Sequence, residues 1–87
     1  MSPTIHYESG YIFYFVSFDV ASGEPAHIHV GEGSHRPAHD AKIWLEPNVQ
    51  VAQRGRFGNR EVRRILHIVE SRREQFLGDW HAYKDRI

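Results

Sequence analysis

The chain has 87 residues, 40% apolar and 13% aromatic, which suits one small globular domain with a single core and argues against disorder. It contains no cysteine, so disulfides, thiolate metal sites and cysteine nucleophiles are excluded. The formal net charge of zero hides a gradient: residues 1–53 carry two basic side chains against six acidic ones, and residues 54–87 carry nine against five.

The basic half reads as an arginine-rich helix surface, with a face for nucleic acid or an acidic partner as the sharper alternative. Five of the seven histidines lie in the acidic half. No leader-like segment opens the chain and no apolar run approaches membrane-spanning length, so a soluble, cytoplasmic protein without membrane contact is expected.

In chain order, "YIFYFVSFD" (11–19) is apolar at both parities, as expected of a central strand covered on both faces. "VASGEP" supplies turn residues. A second strand over about 26–32 points Ala26, Ile28 and Val30 one way and His27 and His29 the other. After the loop "GEGSHRPAH", a third strand over about 40–46 sets Ala41, Ile43 and Leu45 against Lys42, Trp44 and Glu46, and Pro47 stops it. Residues 49–53 are a short fourth strand or an extended lead into "QRGRFG".

From Val62 the apolar residues fall at 62, 65, 66, 69, 76, 77, 80 and 83, the stripe of one long amphipathic helix over about 59–83. Gly58 takes the N-cap position with Glu61 as the capping-box acid. Arg73 intrudes on the stripe and calls for snorkelling or an acidic partner. Gly78 weakens the helix and is the expected place for a bend or an early end. The fold class is therefore α+β: an antiparallel sheet of three or four strands, with the helix packed on the face of Ile28, Val30, Ile43 and Leu45. His27, His29, Lys42, Trp44 and Glu46 should then gather on an open opposite face.

The stretches "EPAHIHV", "AKIWLEP", "RFGNREVRRI" and "FLGDW", in this order and spacing, resemble the bacterial domain-of-unknown-function family four-one-six-zero over roughly Tyr11 to Tyr83. Ala26, Gly58 and Gly78 depart from the proline, serine and acidic residue common in that family, whereas His27, His29, Lys42, Trp44, Glu46 and Trp80 match. The resemblance carries no settled activity. It implies a gene pair of the toxin–antitoxin kind.

Three chemistries suit the expected open face. As a binding surface, it would present Trp44 and Glu46, with Arg54 and Arg56 from the following loop, to a small cognate protein encoded nearby or to RNA. A second copy of the chain is a further candidate partner. As a metal-independent ribonuclease, it would use His27 and His29 as the acid–base pair and Lys42, or an arginine of "QRGRF", as the electrostatic stabiliser. As a metal site, it would join His27 and His29 to Glu46, with His35 or His39 as other third ligands, although Lys42 on the same face opposes a cation. No cofactor is expected. The binding surface within a two-protein module is the preferred reading, and whether the domain is an enzyme is left open.

Overall fold

The computed structural model describes residues 3–87. Five strands form one antiparallel meander in sequence order: β1 (Thr4–Glu8), β2 (Tyr11–Tyr14), β3 (His27–Gly31), β4 (Ala41–Trp44) and β5 (Gln50–Gln53). A short helix, α1 (Ser17–Ala21), lies between β2 and β3, and α2 (Asn59–Ser71) and α3 (Arg73–Lys84) follow the sheet. The α+β class and the antiparallel sheet agree with the sequence, while the strand count, the first strand and the helix differ in detail. Among the described residues no helix is long and apolar enough to cross a membrane.

β1 was not read from the sequence, although at five residues it is as long as β3. Its turn was nevertheless encoded. Ser9 (φ 54°) and Gly10 (φ 84°) are both left-handed, which is the backbone of a tight two-residue hairpin joining Glu8 to its partner Tyr11. The strand expected over 11–19 stops at Tyr14, and the chain coils into α1. A run that is apolar at both parities does not distinguish a buried strand from a buried turn of helix. Here Val16 and Val20 are joined by a helical hydrogen bond of 3.2 Å, Phe15 and Val20 enter the core, and Phe18 is left 76% exposed.

The helix layer covers the anticipated face. Ile28, Val30, Ile43 and Leu45 are buried in one cluster with Phe13, Phe15, Ile65, Ile68, Val69, Phe76 and Trp80. Each large side chain of that cluster is worth roughly 1.5–3 kcal/mol of transfer free energy. Phe13 stacks on Phe76 at 5.5 Å, and Phe15 meets Trp80 edge-on at 5.3 Å. The single helix expected over 59–83 is interrupted, and not at Gly78, which lies inside α3. The break falls at Arg72 (φ −115°, ψ 16°), whose side chain is bonded to Glu8 of β1 and to Gln75. Arg73, the intruder in the apolar stripe, finds carbonyls in place of an acid: it donates to Leu45 O at 2.8 Å and to Pro47 O at 3.4 Å.

The opposite face is not open. α1 and the 32–40 loop cover the β2–β3 part of it. Tyr14 stacks on His35 at 3.9 Å, and its hydroxyl donates to Asp40 Oδ2 at 2.5 Å. Asp40 is fully buried, also accepts from the Arg36 amide at 2.8 Å, and has the Arg56 guanidinium 3.5 Å away. Burial and the bond to Asp40 push the Tyr14 phenol well above its ordinary range, so it stays a donor.

Gly55 closes this loop against the sheet. It has φ 63°, and a Cβ there would lie 2.5 Å from the His39 oxygen and the Asp40 carbonyl carbon. Gly33 has φ 76° but faces open space. Both alanine variants should therefore carry left-handed strain of about 1–3 kcal/mol, and Gly55→Ala should lose more because backbone must also move. Urea unfolding followed by circular dichroism would check this. Equal midpoints for Gly55→Ala and Gly33→Ala would show that the loop is not clamped as described.

Candidate functional site: a buried Asp–His–His cluster

Antiparallel pairing places His27 opposite Trp44 and His29 opposite Lys42, and sets Tyr14 opposite His29 on the other side. The period of two therefore gathers the two imidazoles on one face, as the sequence implied. Both are buried, His27 completely and His29 to 4% exposure. Two imidazoles removed from water need polar partners, because each unsatisfied buried group costs about 1–3 kcal/mol. The partner is Asp19, in the first turn of α1.

One carboxylate oxygen serves both rings. Asp19 Oδ2 lies 3.0 Å from His27 Nε2 and 3.1 Å from His29 Nε2. On its far side, His27 Nδ1 is 2.9 Å from the Pro25 carbonyl. A carbonyl only accepts, so Nδ1 carries the proton and its tautomer is fixed. The rings are also gripped by aromatics: His27 lies 5.0 Å from the Trp80 ring and 5.4 Å from Trp44, and His29 stacks on Tyr14 at 5.4 Å. His29 Nδ1 is buried without a hydrogen-bond partner.

The electrostatics follow from this packing. Burial pushes the His29 imidazole below its usual value, and the hydrogen bond to Asp19 recovers only part of the loss, with His27 and Lys42 opposing a further charge. For Asp19, burial alone would raise the carboxyl, but pairing with the His27 and His29 imidazoles holds it below the ordinary carboxylate range. The Asp19 side chain keeps 18% exposure against 5% for His29, so the cluster meets water mainly at its carboxylate edge.

The other residues singled out from the sequence are distributed unevenly. Lys42 and Trp44 stay beside the cluster, half-buried, with the Lys42 ammonium 4.7 Å from the Trp44 ring centre and 2.8 Å from Glu24 Oε1. Glu46 is turned away, 3.8 Å from His81 of α3, so it does not supply the carboxylate for the histidines. His35 is occupied with Tyr14 and Thr4, and the His39 carbonyl accepts from the Arg56 amide. Arg54 donates to Asn59 at the start of α2, and Arg56 reaches Glu32 O and Asp40 in the loop cluster. Asp19 was missed because it sat in what read as a strand. The only signal for it was the ambiguous apolar pattern of "FVSFDVA".

The three donor atoms of Asp19, His27 and His29 lie within 4.8 Å of one another, and among the described residues they are the group able to hold a metal ion. The arrangement is that of a small α+β domain closed around a polar knot. The model of the family described as "Domain of unknown function (DUF4160)" matches residues 10–81, and the chain belongs to that family. No curated protein and no solved structure matches the chain.

The cluster makes the fold acid-labile. With His29 lowered from 6.5, the unfolded chain takes up this proton before the folded one, so stability should decline as pH falls below about 6.5. Asp19, lowered from 3.8, extends the loss as pH falls through its folded value. Urea midpoints in a chelating buffer should hold steady from pH 8 to about pH 6.5 and fall from there toward pH 4, and His29→Gln should flatten that fall. A midpoint independent of pH between 7 and 5 in the wild type would contradict the buried neutral ring.

Proposed function

We propose that this domain is one member of a toxin–antitoxin-like pair and works by binding a small protein encoded beside it, through the surface around α1, Lys42 and Trp44. The observation that carries this reading is the exposure of Phe18: a phenyl ring 76% exposed on the helix that caps the histidines, next in sequence to Asp19. An aromatic side chain held in water on a short, well-anchored helix is the kind of group that becomes an interface anchor. Half-buried Trp44 and the Lys42–Glu24 pair supply amphipathic and polar groups on the same side of the sheet.

The same burial weighs against the acid–base reading. A side chain with no exposure cannot reach a phosphodiester, and His27 has both ring nitrogens engaged. Lys42, the intended stabiliser, is already neutralised by Glu24.

RNA binding is favoured by a separate observation. Arg60, Arg63, Arg64 and His67 are exposed at the i, i+3, i+4, i+7 positions of α2, which is one basic stripe away from the cluster. This second reading uses a different face and is separable by mutation.

The test is co-expression with the product of the neighbouring reading frame, followed by size-exclusion chromatography and growth curves. A stoichiometric complex is expected, with at least about tenfold weaker association for Phe18→Ala or Trp44→Ala, hot-spot-sized effects of about 1.4 kcal/mol or more. Arg63→Ala should leave the complex intact. Absence of a complex would refute the partner reading. Salt-sensitive RNA binding lost in Arg63→Ala would establish the second one.

A further inference from the structure

We propose that Asp19, His27 and His29 form a binding site for a divalent transition-metal ion. This proposal stands on the cluster's own hydrogen-bond accounting and is independent of the partner reading. The decisive detail lies at His27. Its Nδ1 proton is committed to the Pro25 carbonyl at 2.9 Å, so in the neutral ring Nε2 presents a lone pair. That lone pair points at a carboxylate oxygen 3.0 Å away. Two acceptors facing each other at this distance repel, and only something positive between them makes the contact favourable. A second proton on the ring is one answer. A metal cation is the other, and it suits the geometry better because His29 Nε2 converges on the same oxygen at 3.1 Å.

The two carboxylate–imidazole distances agree with shared coordination, and the donor atoms all lie within 4.8 Å of one another. Metal–nitrogen and metal–oxygen bonds of about 2.0–2.2 Å give donor-to-donor edges of about 2.8–3.1 Å in an octahedral shell and about 3.3–3.6 Å in a tetrahedral one. The surroundings already have the form of an outer shell. A backbone carbonyl orients His27 through its other nitrogen, as metal-bound imidazoles generally require. Trp80 and Trp44 fix the ring of His27, and Tyr14 fixes that of His29. His29 has no such carbonyl, since its Nδ1 is unpartnered, so stacking alone orients it.

Charge also fits. The sequence set Lys42 against a cation, but its ammonium is drawn to Glu24 at 2.8 Å and over the Trp44 ring. One carboxylate and two imidazoles form a borderline donor set, which selects zinc, cobalt, nickel, copper or ferrous iron over calcium or magnesium. Three protein ligands leave the remaining coordination to water on the side where Asp19 reaches solvent.

The experiment uses the full chain, purified without a histidine tag, stripped with chelator and titrated with zinc chloride by calorimetry. Cobalt(II) absorption serves as a second readout. One equivalent of zinc is expected, with a rise in unfolding midpoint on the order of 10 °C at a metal excess of about 100 Kd. Asp19→Asn, nearly isosteric and folded by circular dichroism, should weaken binding by more than about 100-fold, as should His29→Gln. His81→Ala, at an exposed position on α3, should bind like the wild type. Absence of saturable zinc or cobalt binding by the folded wild type would overturn the site. So would binding that survives Asp19→Asn unchanged, or binding that His81→Ala removes.

Discussion

One carboxylate oxygen shared by two buried imidazoles is the contact around which this domain is arranged. A strand that carries His27 and His29 into the interior creates a desolvation cost on a face otherwise made of Tyr14 and Trp44. Asp19 reaches both rings only if the chain leaves the sheet after Tyr14 and turns back over β3. α1 is the five-residue device that accomplishes this. Val20 seats it in the core, and the Ser17 hydroxyl, hydrogen-bonded to the Tyr83 hydroxyl at 2.6 Å, ties it to α3. A helix this short has little stability of its own, so these tertiary contacts hold it in place.

A second polar anchor works in parallel. Asp40 lies fully buried beneath the 32–40 loop and collects the Tyr14 hydroxyl, the Arg36 amide and the Arg56 guanidinium. Gly31 makes room for it, since a Cβ there would come 2.5 Å from the Asp40 carboxylate. The sheet is thus covered on one side by apolar helix packing. On the other it is covered by two acid-centred networks that meet at Tyr14, whose ring stacks on His29 and whose hydroxyl bonds Asp40. Specific buried networks of this kind fix a single arrangement more sharply than apolar contact does.

Much of the fold was legible because it rests on periodicity. Alternation placed Ile28, Val30, Ile43 and Leu45 against the helices, and the 3.6-residue spacing found Ile65, Val69, Phe76 and Trp80. The break at Arg72 was not legible. It depends on bonds from Arg72 to Glu8 and from Arg73 to Leu45, 64 and 28 residues away in sequence. The candidate site was half legible. Parity brought His27 and His29 together, but it equally proposed Glu46, which the chain carries past the end of β4 and toward His81. Asp19 joins the histidines only through the turn of α1, and no local pattern announces a side chain that acts by reaching back over the sheet.

What the domain exposes follows from what it conceals. With both histidines inside, Phe18 of α1 stays exposed and Trp44 and the Glu24-paired Lys42 stay half-buried, while Arg60, Arg63 and Arg64 are exposed on α2. The central claim is therefore the hydrogen-bond pattern of the knot itself, and long-range proton–nitrogen NMR of the histidine side chains tests it most directly. In metal-free protein at neutral pH, His27 should show a protonated Nδ1, held on the Pro25 carbonyl. A His27 ring with bare Nδ1 and its only proton on Nε2 would contradict the account, because the Pro25 bond and the cation-demanding contact with Asp19 would both be absent.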